Sequence, residues 1–340
     1  MWKISEEELE KLKGFLETSG KKFLFYHADA DGICSAALFL KFFDGFEAKP
    51  REGPMMRNEF ADQIIKERPV LIVFLDLPVD QEWKKIVRIK KGIRGVRIVV
   101  IDHHIFEKNL NSERILHINP KFQSDVYLPV SYIMYRVLER MGKGLKGMEW
   151  ISCMGVIGDY AFKSCRGFLD KCRNEDVDKG VNLISSAVTF KGSKGAGRVL
   201  EILVESKGIK KFIKIKELKV WKRKVNKEIR RIMDAFERGK EVYQDAGLIV
   251  FEIKSKLNLA SVISTILSEK YENDVIIIRK KSKAGWKVSV RCQSGAVNLN
   301  SLMKKCAGPG DSAGGHVKAA GGVIRDWTGF KKRVIKELSG

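Results

Sequence analysis

Three short apolar runs constrain this chain more than anything else in it: KFLFYH at residues 22–27, VLIVFLD at 70–76 and VRIVVID at 96–102. Each is strand-length and rich in β-branched or aromatic residues, so each reads as a strand buried on both faces. Helical patterns follow at residues 33–43 and 81–90, with a fourth strand at 115–119 and further helices at 129–141 and 148–157. That alternation is the pattern of a parallel sheet covered by helices. In such a sheet the carboxyl ends of the strands share one edge, where ligands bind. His27, Asp29 and Asp31 lie at or just after the end of the first strand, Asp76 ends the second, and Asp102, His103 and His104 close the third. These residues therefore converge, although about 75 positions separate the first from the last.

A cluster of that kind restricts the chemistry. Several carboxylates packed together stay ionised only if positive charge neutralises them. No Lys or Arg stands beside these strand ends in the sequence, whereas imidazoles do. Mixed nitrogen and oxygen donors favour Mn, Fe, Co or Zn over Mg. Of the five histidines, His27, His103 and His104 belong to the cluster, His316 sits among glycines, and only His117 reads as an ordinary strand residue. Alone, D-x-D-G is a surface turn and D-H-H a capped helix start. Together with Asp76 they define a site.

The rest of the chain changes character. Residues 190–197 (FKGSKGAG) form a Gly/Lys-rich break, and residues 208–240 carry one long basic helical pattern. Strand patterns return as GLIVFEI, DVIIIRK and WKVSVRC, with helices at 259–270 and 298–306. The expected domains are 1–190, a helical connector at 191–242, and a second α/β domain at 243–340. The tail GPGDSAGGHVKAAGG, residues 308–322, fits neither the Walker A spacing nor the dinucleotide fingerprint, and reads as a Gly-rich loop with exposed amides suited to anionic oxygens.

Composition narrows the partner. Sixty-four Lys and Arg against 42 Asp and Glu leave a formal charge of +22, which points to a polyanion. Lys enrichment also accompanies thermal adaptation. No apolar run reaches the 18 or more residues of a membrane span. The start, MWKISEEELEKLKG, is amphipathic and acidic, unlike a secretory signal. Six cysteines form no C-x-x-C pair, as expected of reduced, mostly buried thiols in a cytoplasmic protein.

HADADG, Asp76, Asp102-His103-His104 and Gly158-Asp159 resemble the four motifs of the DHH phosphoesterases. That family includes RecJ-type single-strand exonucleases, oligoribonucleases (nanoRNases) and family II inorganic pyrophosphatases. The tail is similar to the G-G-G-H-x-x-A-A-G signature of the DHHA1 domain, with Ala313 where the first glycine is common. Gly314, Gly315, His316, Ala319, Ala320 and Gly321 match. That signature argues against a pyrophosphatase. The resemblance implies an α/β parallel-sheet DHH domain, a helical connector and a smaller α/β DHHA1 domain, with the active site in the cleft between them.

It also implies two Mn²⁺ ions, with Mg²⁺ or Co²⁺ as substitutes. By the same resemblance Asp29 would bind one ion, Asp31, His103 and Asp159 the other, and Asp76 would bridge them. His27 is a further ligand, although it stands two residues before Asp29 and not four as in the pyrophosphatase pattern. His104 would face the scissile phosphate with Asp102 orienting it, while Arg291, Gly314, Gly315 and His316 would grip the substrate. The implied activity is exonucleolytic hydrolysis of single-stranded DNA or RNA to nucleoside 5′-monophosphates. The alternatives are an oligoribonuclease or cyclic-dinucleotide phosphodiesterase acting on short oligonucleotides, and a non-catalytic replication factor. A replication or repair protein and a second copy of the chain are the expected protein partners.

Overall fold

The computed structural model describes residues 2–53 and 56–340, and the chain divides into two compact units, residues 1–222 and 223–340. The first unit runs α1 (Glu6–Leu16), β1 (Lys22–His27), α2 (Ala30–Leu40), β2 (Phe46–Arg51), α3 (Asn58–Glu67), β3 (Leu71–Leu75), α4 (Trp83–Gly92), β4 (Arg97–Ile101) and β5 (Ile115–Ile118). Helices then take over: α5 (Val130–Arg140), α6 (Glu149–Gly158), α7 (Arg166–Cys172), α8 (Glu175–Lys191), α9 (Ser193–Glu205), α10 (Ile209–Phe212) and α11 (Lys216–Gly239), within which the division falls.

All five strands of the first sheet are parallel, in the order β2-β1-β3-β4-β5. Alternate side chains feed two cores. Leu24, Tyr26, Val73, Leu75, Val99 and Ile101 pack on the side of α2, α5 and α6. Phe23, Phe25, Ile72, Phe74, Ile98 and Val100 pack on the other side, with residues of α3 and α4. Helix α2 is buried on every side from Ala30 to Phe39, which explains its nearly unbroken apolar sequence. The strand order reverses between β1 and β3, so the crevice at their carboxyl ends is the topological switch point of the sheet.

One strand joins the expected set, and two local expectations change. Strand β2 carries Pro50 and polar residues, and it survives as a strand because it lies at the sheet edge, where a missing N–H is tolerated. The break at residues 190–197 shrinks to Gly192, with φ 58°, between α8 and α9. The basic pattern at 208–240 is likewise two helices, α10 and α11, and not one.

The second unit adds β6 (Glu241–Tyr243), β7 (Leu248–Glu252), α12 (Ala260–Lys270), β8 (Val275–Ser282), β9 (Gly285–Arg291), α13 (Leu299–Cys306), β10 (Ser312–Gly315), β11 (Ala319–Ile324) and α14 (Trp327–Ser339). Its sheet is mixed, in the order β10-β11-β9-β8-β7-β6, with only β7 and β8 parallel. The glycine-rich tail is therefore no open loop. It folds as the β10–β11 hairpin, and β11 pairs in turn with β9. No helix among the described residues is long and apolar enough to cross a membrane.

Candidate metal centre

Each strand end delivers its residues by a local device. After β1, Asp29 caps α2 by accepting from the Gly32 amide at 3.0 Å. A Cβ on Gly32 would stand 2.3 Å from the His27 carbonyl oxygen, so only glycine permits this turn. After β3, Asp76 takes the left-handed conformation at φ 59°, a strained backbone of the kind that collects at functional sites. After β4, His103 and His104 meet edge to face with ring centroids 4.6 Å apart.

Together these residues form two donor sets around Asp76. His27 Nδ1 lies 2.8 Å from Asp29 Oδ2 and 3.4 Å from Asp76 Oδ2. His103 Nε2 lies 3.3 Å from Asp76 Oδ1, and its Nδ1 lies 3.5 Å from Asp159 Oδ2. The groups His27–Asp29–Asp76 and Asp31–His103–Asp159 each bring three donor atoms within 4.8 Å of one another. Asp76 is 2% exposed, and its Oδ2 has no hydrogen-bond partner, nor does the buried Nδ1 of His103. Buried polar atoms seldom go unsatisfied, and divalent ions between these donors would satisfy both. The residues fit two such ions.

The electrostatics lead to the same conclusion. Burial disfavours a charged ring at His27, but the Asp29 and Asp76 carboxylates override it and push its pKa up to about 11. His103 is likewise raised to about 10 against burial, chiefly by Asp76. Burial also works against ionised Asp76, yet the two histidines pull its pKa well below the usual range. Asp159 is lifted by burial to about 6, and Asp31 is raised by burial with Asp76 and Asp159 adding to it. Without metal, the imidazoles thus supply the positive charge that the carboxylates require.

Asp31 has a second duty. Both its oxygens accept backbone amides at the start of α5, Val130 N at 2.6 Å and Ser131 N at 2.9 Å. Pro129, at the cap position of that helix, has no side-chain donor or acceptor to offer. Asp102, fully buried, accepts from His104 Nδ1 at 2.8 Å and from its amide at 3.2 Å. That bond fixes the ring and leaves Nε2 as its other edge.

Of three supporting residues, two carry no signal in the sequence pattern. Tyr127 donates its hydroxyl to Asp159 Oδ2 at 2.5 Å, and its ring lies 4.9 Å from that of His103. Asn119, just after β5, donates to the His104 carbonyl at 3.0 Å. Asp80 accepts the amides of Glu107 and Lys108 and so pins the chain after the histidine pair. A polar residue at the end of the fourth apolar strand was the only available hint, and it pointed to Asn119 alone.

The other predicted residues meet in the second unit. Arg291 ends β9 opposite Ala319, and Ala320 of β11 faces Gly315 of β10, so these residues share one end of the sheet. Arg291 donates to Ser261 Oγ at 2.9 Å. The amides of Gly315 and His316 are already engaged, by Asn300 Oδ1 at 3.2 Å and by the Ala319 carbonyl at 2.7 Å. An open amide nest is therefore not what this segment offers. Gly315, at φ 149°, is the hairpin's tight point, where a Cβ would stand 2.5 Å from the Ala319 oxygen.

A parallel sheet with carboxylates and histidines at its switch point, followed by a mixed-sheet unit, defines a class. Residues 22–154 match the DHH family N-terminal domain and residues 245–339 the DHHA1 domain, so the chain belongs to the DHH/DHHA1 superfamily. Among solved structures it is similar to a DHH-domain protein described as a member of the s1p family of ribosomal proteins. That pair shares 18% identity at a TM-score of 0.75, over 99% of this chain and 93% of the other. It is also similar to RecJ of Thermus thermophilus in complex with Mn²⁺, at 14% identity and a TM-score of 0.71, over 98% of this chain and 54% of RecJ. A third likeness is to a pGpG-specific phosphodiesterase, PggH, of Vibrio cholerae, at 16% identity and a TM-score of 0.54, over 94% and 99% of the two chains. No curated protein matches the chain in sequence.

Proposed function

We propose that this protein is a metal-dependent phosphodiesterase that degrades single-stranded nucleic acid from an end, releasing nucleoside 5′-monophosphates. The observation that carries the reading is the pair of donor sets, His27–Asp29–Asp76 and Asp31–His103–Asp159, with His103 of the second 3.3 Å from Asp76 of the first. Asp29 and His27 would hold one ion, Asp31, His103 and Asp159 the other, with Asp76 between them. Two divalent ions, Mn²⁺ foremost and Mg²⁺ or Co²⁺ as substitutes, supply activation of water and neutralisation of phosphoryl charge when bound.

The chain's own groups do the rest. Asp102 aims His104, whose Nε2 donates to the non-bridging phosphoryl oxygen as negative charge builds there. Tyr127 holds Asp159, and burial together with that carboxylate keeps the tyrosine hydroxyl protonated. Asn119 and Asp80 fix the segment that carries the histidines. Arg291 and the His316 side chain grip the phosphate of the terminal nucleotide, with Gly314 and Gly315 leaving room for its close approach, which favours exonucleolytic over internal cleavage. The six free cysteines, five of them buried, suit the reducing cytoplasm.

Long strands are favoured by charge. Residues 223–340 hold 24 Lys and Arg against 12 Asp and Glu, far more than a dinucleotide needs. The competing reading, hydrolysis of dinucleotides and very short oligonucleotides, draws on the likeness to the pGpG phosphodiesterase, which is covered over 99% of its length. Digestion of end-labelled 20-mers and 2-mers, in DNA and RNA with Mn²⁺, separates the two. Nucleoside 5′-monophosphates accumulating faster from the 20-mers support the proposal, and equal efficiency on 2-mers replaces it with the short-substrate reading.

A further inference from the structure

Tyr160 directly follows Asp159 and stands in the left-handed region at φ 55°, with 78% of its surface exposed. That conformation closes the end of α6, where the Tyr160 amide donates to the Ile157 carbonyl and the Ala161 amide to the Val156 carbonyl, both at 3.1 Å. Glycine usually fills such a position, so the turn does not account for a large aromatic ring left in water there. Among the described residues only Arg68, Asp76 and Tyr160 are non-glycines with positive φ, and the last two adjoin the metal centre. Phe162 is also partly exposed, edge-on to Tyr160 with ring centroids 6.2 Å apart.

Beyond Phe162 opens a pocket of about 690 Å³ within the first unit, between α7 and the start of α8. Arg173 lies over the Phe162 ring, 5.1 Å from its centroid, and is tied to Asp178 at 3.1 Å. Arg166, Asn174 and the carboxylates of Asp170 and Glu175 complete the polar wall. Three carboxylates make this a poor phosphate site. They are good acceptors for the ring N–H and exocyclic amino groups on a base edge, while the exposed rings offer stacking surface.

The geometry points to a nucleobase-binding subsite formed by Tyr160, Phe162 and the pocket behind them, taking the base of a nucleotide next to the scissile phosphodiester. This deepens the nuclease reading and rests on it. Stacking accounts for the exposed rings, and Asp170, Glu175 and Asn174 supply acceptors for a base edge beside Arg166 and Arg173.

The test scans a single abasic residue along a fluorescent single-stranded 12-mer, with binding measured by anisotropy in Ca²⁺ so that nothing is cleaved. In the wild type, one position near the bound end should lose about tenfold in affinity when its base is removed. In Tyr160→Ala/Phe162→Ala that position-specific loss should vanish, while Tyr160→Phe/Phe162→Tyr should retain it. Both double variants alter exposed side chains, and circular dichroism checks that they fold. An abasic penalty that is the same at every position, or the same in both proteins, overturns the subsite. If the wild type cleaves strands with Mn²⁺ but shows no such coupling, the subsite falls and the nuclease reading stands. If coupling appears without any cleavage, the subsite stands and the nuclease reading falls.

Discussion

The two units solve the problem of gathering distant residues in opposite ways. In the first, every strand runs the same direction, so a residue at the end of any strand arrives at the same edge. His27, Asp76 and His103 meet without regard to their separation in sequence. In the second, most neighbouring strands are antiparallel, and a strand's end lies beside its neighbour's beginning. Arg291 reaches Ala319 only through the register of β9 on β11. The charge differs too. Residues 1–222 carry 40 Lys and Arg against 30 Asp and Glu, a net +10, while the shorter second unit carries +12. Under the proposed function the contrast becomes a division of labour, with chemistry in the parallel unit and capture of the polyanion in the mixed one.

The sharpest way to break that division is to remove Asp76. Asp76→Ala should cut hydrolysis by about a thousandfold or more, because Asp76 belongs to one donor set and lies against His103 of the other. The circular dichroism spectrum should hardly change, since the residue lies at a strand end. Substantial activity in a folded Asp76→Ala protein would place the chemistry elsewhere.

Metal addition should distinguish the units next. Mn²⁺ at a hundred times its Kd should stabilise the metal-free protein by about 2.7 kcal/mol. Hydrogen exchange should slow at the ends of β1, β3 and β4, with β7 to β11 unchanged. Mn²⁺ should support turnover better than Mg²⁺, and Ca²⁺ should fail. Protection appearing equally in both sheets contradicts a metal centre confined to the first.

Arg291→Ala should weaken hydrolysis of short and long substrates alike, by about 1.5–3 kcal/mol in kcat/KM if the guanidinium makes a charge-assisted bond to phosphate. A loss confined to long strands would assign Arg291 to the strand-tracking surface instead. The smallest effect belongs to α11. Replacing Lys222, Arg223 and Lys224 together by alanine should weaken only long strands, and the slope of log K against log salt should shrink by about 0.7 for each phosphate no longer neutralised. A 2-mer weakened as much as a 20-mer would remove α11 from the binding surface.

The same contrast governs how much the sequence disclosed. Buried parallel strands write themselves as apolar runs, and their end residues mark the candidate metal centre, which is why Asp29, Asp76 and Asp102-His103-His104 stand out. Strand β2 stays hidden because an edge strand needs neither an apolar run nor all its amides, and FEAKPR has neither. Tyr127, Asp80 and Asn119 act through bonds between elements, and no local spacing records those. The glycine-rich tail misleads for a related reason. Glycine in a strand marks close backbone approach as readily as a loop, and only pairing with β9 decides between them.

Asp31 ties the fate of the reaction to the fate of the fold. Because its carboxylate closes the first turn of α5, a substitution there removes a helix cap, commonly worth about 1 kcal/mol, along with any ligand role. Asp29 carries a lighter load, since it caps α2 through one amide, that of Gly32, and is half exposed, whereas buried Asp31 accepts two. A descendant that gave up hydrolysis would therefore lose Asp29 at smaller cost, while stability would hold Asp31 in place long after the activity had gone. An inactive relative of this protein should be recognised by what has changed at position 29, because an aspartate at position 31 reports a folded α5 and not a working enzyme.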